Sequence, residues 1–202
     1  MKLVLATRNL GKVKELTAML NTDRQQKDIQ ILSMQDFPDA PEVIEDRDTY
    51  EENAAKKAII IADFTGFRTL ADDAGLEVDA LGGAPGVHSK RWAGDDATDA
   101  IRIQKLLEAL EGASNRSARF VAAIAIAEPI TPNSSNSINR VQVVVGKCEG
   151  NIIHVPAGDS GFGYDPIFVP IGYEKTFAEL GDTIKNRISH RSEALRLALK
   201  LL

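Results

Sequence analysis

The sequence predicts an α/β fold, because segments with the periodicity of strands and of helices follow one another along the chain. Residues 3–6 form an apolar run with the length of a buried strand, and apolar residues after it recur at helical spacing, at Val13, Leu16 and Leu20. Residues 119–127 and 141–148 predict a pair of neighbouring strands. With 44% hydrophobic residues among 202, the chain can bury a sizeable core. Residues 1–202 are predicted to form one domain, with room for two lobes.

Local signals bound the other elements. Thr49 followed by Glu52 three residues later is a capping-box pattern, which predicts a helix that begins near Thr49. A short strand is predicted over residues 68–71, so that the paired carboxylates Asp72 and Asp73 lie at the end of a strand. The other predicted segments are a turn at residues 82–86, a helix at 97–110, a polar hairpin loop at 129–137 and a final helix that begins near Ser189.

Charge and cysteine content exclude several classes of function. The net charge of -5 and the pI of about 5.3 argue against DNA or RNA as a partner. A single cysteine, Cys148, excludes an intrachain disulfide and favours the reducing cytoplasm. The apolar run at the N-terminus is too short for a signal-peptide core or a membrane span, so no membrane partner is expected.

The loop after the first strand has the chemistry of an anion site. Asn9 and Lys12 lie where a strand passes into a helix, so backbone N–H groups and the positive end of the helix dipole meet there. The loop lacks the glycine and Lys-Ser/Thr spacing of a P-loop. A polar connector without a ligand is the alternative interpretation.

Charges on the second helix predict different roles for two adjacent lysines. Asn53 and Lys57 are four residues apart and share one face, while Glu52 and Lys56 form their own pair one position round. Because Lys56 is paired with Glu52 in this arrangement, Lys57 is predicted to be the freer cation of the two. A solvated helix face is the alternative.

The adjacent carboxylates Asp72 and Asp73 are candidate metal ligands. Hard oxygen ligands suit Mg²⁺, which is often bound by one or two carboxylates together with substrate phosphates. Asp72 and Asp73 do not have the Asp-x-Asp spacing of haloacid-dehalogenase phosphatases. A plain Asp-Asp-Ala-Gly turn is the competing interpretation.

The C-terminal third combines a glycine-rich segment with positive charge. Residues 158–166 contain three glycines, two aromatic residues and an acid before Pro166, and Phe162 could stack on a base. A tight turn with aromatic packing is the alternative. The cationic cluster that follows favours an anion or a keto-bearing base and consists of Lys185, Arg187, His190 and Arg191.

Taken together, these segments resemble the inosine triphosphate pyrophosphatases, the Ham1-like or XTP/dITP diphosphatases, over nearly the whole chain. No single motif is decisive, but their joint order is highly specific. The motifs are Thr7-Arg8-Asn9-Leu10-Gly11-Lys12, Thr49-Tyr50-Glu51-Glu52-Asn53-Ala54-Ala55-Lys56-Lys57-Ala58, Leu70-Ala71-Asp72-Asp73-Ala74-Gly75-Leu76, Gly82-Gly83-Ala84-Pro85-Gly86-Val87, Gly161-Phe162-Gly163-Tyr164-Asp165-Pro166 and Ile188-Ser189-His190-Arg191.

The resemblance implies an elongated mixed central sheet flanked by helices, with the active cleft between two lobes, and a cytoplasmic homodimer. It also implies Mg²⁺-dependent hydrolysis of ITP, dITP and XTP to the monophosphate and pyrophosphate, which cleanses the nucleotide pool, with Mn²⁺ as a substitute metal. Asp73 would be the catalytic base and a metal ligand, supported by Glu45 and Asp72. The implied substrate-binding residues are Thr7, Arg8, Asn9, Leu10, Gly11, Lys12 and Lys57 on the triphosphate, Ala74 beside the catalytic base, and Phe162, Gly163, Tyr164, Asp165, Lys185, His190 and Arg191 on the nucleoside.

Two departures from the family pattern lie close to these residues. Ala74 stands where serine is common, which removes a hydroxyl group, and Arg47 stands where glycine is common, which stiffens the loop before the second helix. Two rival functions stay open: a Maf-like pyrophosphatase acting on modified pyrimidine nucleotides, and a nucleotide-binding regulator without turnover.

Overall fold

A computed structural model describes residues 1–22, 29–130 and 140–202. The strands are β1 Lys2–Leu5, β2 Gln30–Ser33, β3 Thr69–Val78, β4 Pro85–Gly86, β5 Ser117–Ala127, β6 Val141–Ile152 and β7 Phe168–Pro170. The helices are α1 Leu10–Thr22, α2 Tyr50–Thr65, α3 Asp99–Ala109, α4 Phe177–Ile188 and α5 His190–Ala198.

The strands form one mixed sheet. Its order is β2-β1-β3-β5-β6-β7, and β4 pairs with β3 off this path. Strand β1 is parallel to both β2 and β3, whereas β4 is antiparallel to β3 and β7 is antiparallel to β6. In register, Leu5 lies opposite Leu70, two residues before Asp72. The predicted α/β class, a mixed sheet flanked by helices, is confirmed.

The contacts divide the chain into two compact units. The first contains residues 1–73, 123–145 and 194–202 and the second contains 74–122 and 146–193, with residues 23–28 and 131–139 outside the described part. The core of the first unit includes the fully buried Leu3, Val4 and Leu5 of β1. That residues 1–202 form a single domain stays a prediction.

Aromatic packing organises the core of the second unit. The rings of Phe120 and Phe168 are 4.7 Å apart between centroids, and those of Phe168 and Phe177 are 5.3 Å apart. Leu76 and Leu106 are fully buried in the same cluster. This core contains residues of β3, α3 and α4, and α4 also carries Lys185.

Local capping explains why α2 begins where the sequence predicts. The Thr49 side chain accepts a hydrogen bond from the Glu52 backbone N–H at 3.2 Å, which satisfies one of the free donors of the first turn. At the other end Gly66 has φ 71° and its N–H donates to Ala62, a C-terminal geometry that glycine adopts at low cost. The predicted helices near residues 97–110 and from Ser189 are also present, as α3 and α5.

The strand predicted at residues 68–71 is present but longer than expected, so its predicted end and the Asp-Asp-Ala-Gly turn are wrong. Strand β3 continues to Val78, so Asp72 and Asp73 lie within it rather than at its end. Leu76 and Val78 are fully buried, and Leu76 pairs with Gly86 of β4, so core packing and ladder pairing keep the chain extended through the polar residues.

Four elements of the described residues were not predicted, namely β2, β4, β7 and α4. The strands β2, β4 and β7 have only four, two and three residues, too few to show a periodicity, and β4 lies in the segment predicted as a turn. Helix α4 contains Gly181 with φ 72° and ψ 173°, which kinks it and breaks the helical pattern. No helix in the described residues is long and apolar enough to cross a membrane. Most of the predicted loop at 129–137 lies outside the described residues.

Candidate active site

Two carboxylates of β3 are buried side by side in the first unit. Asp72 is 1% exposed and Asp73 is 6% exposed. Burial of carboxylates is costly unless charges or hydrogen-bond donors stabilise them, so their neighbours decide what they can do. Ala74 follows Asp73 directly in the same strand.

Two lysines from different helices meet at Asp72. The Lys12 ammonium lies 2.7 Å from Asp72 Oδ2 and also donates to the Asp72 carbonyl at 3.3 Å. The Lys57 ammonium donates to the same carbonyl at 3.1 Å. Lys12 comes from α1 and Lys57 from α2, so Asp72 gathers two positive charges at one point of the strand.

The loop before α2 brings a third carboxylate to this cluster. Glu45 accepts a short hydrogen bond from the Lys57 ammonium. Asn53 fixes the loop from the helix, because its side chain accepts from the Arg47 N–H at 3.0 Å and donates to the Arg47 carbonyl at 3.3 Å. Asn53 is 2% exposed. The sequence placed Asn53 on the Lys57 face but did not reveal this positioning role.

The predicted partners of the two lysines are wrong. Lys56 pairs with Asp46 at 2.7 Å and with the Ile44 carbonyl at 2.9 Å, not with Glu52. The expectation that Lys57 is the freer cation fails as well, because Lys57 is 9% exposed and bound to Glu45 and Asp72. Helical spacing could not show this, because the acids come from the loop ten to twelve residues earlier.

Asp73 has a strongly perturbed carboxyl group. Its burial, followed by the negative charge of Glu45, raises the pKa of Asp73 to about 6, although Lys12 and Lys57 oppose the shift. A carboxylate with a pKa close to neutrality exchanges protons readily and is suited to general base catalysis. The raised pKa gives the predicted catalytic role of Asp73 an electrostatic basis, and this role stays a prediction.

The predicted metal-binding set consists of Glu45, Asp72 and Asp73. Glu45 and Asp72 lie against Lys57 and Lys12, and both acids act on the pKa of Asp73. Among residues 1–22, 29–130 and 140–202, no group of three or more His, Cys, Asp or Glu side chains already has the arrangement of a metal site. The set is rich in the oxygen donors that Mg²⁺ prefers, and its role stays a prediction.

The loop before α1 is closed by its own polar side chains. The Asn9 N–H donates to Thr7 Oγ1 at 3.2 Å, and Asn9 Oδ1 accepts from the Lys12 N–H at 3.2 Å, as an N-cap does. Arg8 donates to the Ala40 carbonyl at 2.9 Å. The Leu10 side chain is 66% exposed. Phosphate binding by residues 7–12, Gly11 included, stays a prediction.

A second cluster lies in the second unit, around Asp165. This carboxylate is 2% exposed, and its Oδ2 accepts from the Phe162 N–H at 2.9 Å. The Lys185 ammonium lies 2.5 Å from the same oxygen and 4.6 Å from the centroid of the Phe162 ring. A Cβ at Gly161 would come within 2.1 Å of Asp165 Oδ2, so only glycine fits there. Lys185, predicted as part of a cationic cluster that favours an anion or a keto-bearing base, is a buried cation neutralised by Asp165.

Arg191 and His190 are held in the same region by packing. Arg191 is 2% exposed, and its guanidinium lies 5.7 Å from the centroid of the Phe162 ring. His190 is 3% exposed and stacks on Phe120, with centroids 4.7 Å apart and planes 12° apart. The structure therefore brings Phe162, Lys185 and Arg191 together, while Arg187 is exposed.

Tyr164 and Gly163 are tied to elements outside their own loop. The Tyr164 hydroxyl donates to the Ser89 carbonyl at 3.0 Å, and burial raises the pKa of Tyr164. The Gly163 N–H donates to Asp99 Oδ2 at 2.7 Å. Sequence analysis did not single out Asp99, because the contact spans 64 residues and no local pattern encodes it.

Comparison with known proteins shows the family to which the chain belongs. The profile of the Ham1 family matches residues 3–201. The chain belongs to the Ham1 family. Its relatives include a dITP/XTP pyrophosphatase of Desulforamulus reducens, 49% identical over 100% of this chain and 96% of that protein. A dITP/XTP pyrophosphatase of Exiguobacterium is 48% identical over 97% of this chain and 94% of that protein.

Solved structures of Ham1 proteins share the fold. A HAM1 protein from Coxiella burnetii is 41% identical with a TM-score of 0.85, over 100% of this chain and 98% of that one. The Ham1 protein of Staphylococcus aureus is 34% identical with a TM-score of 0.83, over 100% of this chain and 97% of that one. The resemblance read from the motifs is confirmed, and this Ham1-family chain has the family fold over its length.

Proposed function

We propose that this Ham1-family protein hydrolyses ITP, dITP and XTP to the nucleoside monophosphate and pyrophosphate. Its relatives named dITP/XTP pyrophosphatases, which are nearly half identical over the full chain, support this activity. The observation that carries the proposal is the buried Asp73, with its pKa raised to about 6, among Lys12, Lys57 and two further carboxylates.

The reaction needs a water made nucleophilic and a leaving pyrophosphate whose charge is neutralised. The Asp73 carboxylate accepts a proton from water as the new phosphorus–oxygen bond forms and the bond between the α- and β-phosphates breaks. Its raised pKa suits this step, because a stronger base than an ordinary aspartate is still ionised at neutral pH. General base catalysis typically contributes about 10²–10⁴-fold.

Lys12 and Lys57 neutralise the triphosphate. Both ammonium groups already lie within hydrogen-bond distance of Asp72. That of Lys12 is 2.7 Å from the Asp72 carboxylate, and that of Lys57 is 3.1 Å from the Asp72 carbonyl. They are thus ordered before the substrate arrives, and little side-chain entropy remains to be lost on binding.

The carboxylates Glu45, Asp72 and Asp73 fit Mg²⁺ in this proposal. Burial raises the pKa of Asp73, the negative charges of Glu45 and Asp72 raise it further, and a divalent cation would relieve the repulsion among the three carboxylates. When bound, Mg²⁺ supplies charge neutralisation on the phosphates and increases the acidity of water. Mn²⁺ has similar ligand preferences and is the expected substitute.

The base end of the substrate is assigned to Phe162, Lys185, His190 and Arg191. Phe162 offers a ring for stacking, and the two cations near it favour a base that carries oxygen at position 6. Adenine presents an amino donor at that position, so its amino group would face hydrogen-bond donors of the protein and could not bond to them. A site with buried donors left unpaired can discriminate strongly against such a base.

Release of pyrophosphate from a panel of nucleotides tests the proposal. We expect turnover of ITP, dITP and XTP in Mg²⁺ or Mn²⁺, little turnover of ATP, and none in EDTA. Asp73→Asn should bind ITP but lose hydrolysis, while Glu51→Gln, on the exposed face of α2, should behave as wild type. Hydrolysis confined to modified pyrimidine nucleotides would favour the Maf-like function, and binding without turnover would favour a regulator.

The family resemblance also supports a cytoplasmic homodimer. Light scattering on the purified protein tests the oligomeric state. A molecular mass of the monomer at micromolar protein concentration would exclude the dimer.

A further inference from the structure

The geometry points to Asp99 as a positioning residue for the base-stacking ring of Phe162, an inference that rests on the proposed function. Asp99 is the first residue of α3, whereas Phe162 lies in the loop before β7. The two residues are connected through a single hydrogen bond, from the Gly163 N–H to Asp99 Oδ2 at 2.7 Å.

The importance of this bond follows from backbone geometry. The direction of the Phe162 side chain is set by the two peptide planes that flank its Cα atom. The plane before it is fixed by the Phe162 N–H, which donates to Asp165 Oδ2 at 2.9 Å. The plane after it is fixed by the Gly163 N–H on Asp99. Two carboxylates therefore fix the two dihedral angles of Phe162.

Only one of these carboxylates belongs to the loop itself. Asp165 is three residues from Phe162 and moves with the loop, while Asp99 comes from a helix 64 residues from Gly163. Gly163 has φ 65°, so its backbone is in a region where glycine is unstrained and where the peptide plane is easily reoriented. Within the loop this plane has only a long hydrogen bond, from the Asp165 N–H to the Phe162 carbonyl at 3.4 Å, so loss of the external acceptor leaves the Phe162–Gly163 plane weakly held.

Asp99 is itself braced. The Arg102 guanidinium donates to Asp99 Oδ1, which leaves Oδ2 directed to Gly163. Arg102 is in turn held by the Lys90 carbonyl at 3.0 Å and by the Ala97 carbonyl. The Asp99 side chain is 43% exposed, whereas that of Arg102 is only 15% exposed, so the arginine anchors the acid rather than the reverse.

The first experiment compares Asp99→Ala with matched variants of the same segment. Thr98→Ala removes the N-cap hydrogen bond to Ile101 but leaves the bond to Gly163. Asp96→Ala removes an exposed carboxylate three residues away. We expect Asp99→Ala to raise KM for ITP about tenfold, with kcat within about twofold of wild type, since a charge-assisted hydrogen bond is lost. The two control variants should keep the wild-type KM.

Inorganic tripolyphosphate separates base recognition from damage to the fold. This ligand has no base, so its inhibition constant should be unchanged in Asp99→Ala. Asp99→Asn retains an oxygen acceptor and should recover part of the affinity for ITP. An equal loss of affinity for ITP and tripolyphosphate, or the same rise of KM in Thr98→Ala, would overturn the role of Asp99.

A second measurement does not depend on activity. Hydrogen exchange of the Gly163 amide, followed by NMR, should be at least about tenfold faster in Asp99→Ala than in wild type or Thr98→Ala, because the amide loses its acceptor. Unchanged exchange would refute the inference even if the enzyme hydrolyses ITP. A wild-type protein without ITP hydrolysis would instead refute the proposed function, and accelerated exchange would still show that Asp99 holds the loop.

Discussion

The substitution Asp73→Asn should make the metal-free protein more stable at neutral pH. In the folded protein, burial and the charge of Glu45 raise the pKa of Asp73 from 3.8 to about 6. The folded state therefore binds a proton at Asp73 more tightly than the unfolded state does. Between about pH 4 and pH 6 the folded chain carries more protons, so the free energy of unfolding falls as pH rises through this interval.

The magnitude follows from the size of the shift. One pKa unit corresponds to about 1.4 kcal/mol, so a rise from 3.8 to about 6 removes about 3 kcal/mol of stability once Asp73 is ionised. Asparagine has nearly the same shape and no charge, so the variant should avoid this loss. For a chain of this length, about 3 kcal/mol corresponds to an increase in Tm of about 6–12 °C.

Urea unfolding in EDTA, at several pH values from 4 to 7.5, measures the effect. The stability difference between Asp73→Asn and wild type should be small at pH 4 and should reach its full size above about pH 6. Glu51→Gln makes the same change of charge on an exposed surface and should follow wild type at every pH. A variant no more stable than wild type at pH 7.5, or a difference that does not vary with pH, would refute the reasoning.

Two further predictions concern turnover. Lys57→Ala should lower kcat by at least about 100-fold, because a buried donor to the reacting charge is lost. Lys56→Ala should change kcat by less than about fivefold, because the pair of Lys56 with Asp46 is exposed. Similar losses of kcat in the two variants would contradict this assignment. Arg191→Ala should lower kcat/KM for ITP by about 10–150-fold and have a small effect for ATP, as expected for loss of one charge-assisted hydrogen bond to the 6-oxo group. Kinetics of Arg191→Ala on ITP and ATP test this prediction, and an equal fall of kcat/KM for the two nucleotides would indicate that Arg191 binds the phosphates instead. The companion variant His190→Ala should also lower the ratio of kcat/KM for ITP to kcat/KM for ATP.

The elements that the sequence predicted are those whose signals are local. The start of α2 was readable because Thr49 and Glu52 are three residues apart and form the cap directly. The length of β3 was not readable, because Asp72 and Asp73 are polar residues inside a buried strand. Their burial depends on lysines from α1 and α2, and such compensation between distant segments leaves no periodic pattern.

The residues of the candidate site were predictable from motifs, but their partners were not. Lys185 looked like part of a cationic cluster, yet it is buried and neutralised by Asp165. Lys56 looked like a partner of Glu52, yet a loop carboxylate, Asp46, lies closer. Helical spacing defines which residues share a face, while the structure of the loops determines which charges finally meet.

The attachment of Lys12 and Lys57 to Asp72 has a consequence for the way a triphosphate binds. Both ammonium groups already have oxygen partners before any phosphate arrives, at 2.7 Å and 3.1 Å. In the proposed function, phosphate oxygens compete with these protein oxygens for the ammonium hydrogens, so that binding is largely an exchange of partners rather than the capture of unoccupied charges. A single phosphate gains little from such an exchange, whereas a chain of three can engage both lysines together. Under the proposed function, the site can in this way bind its triphosphate substrate more tightly than the monophosphate product.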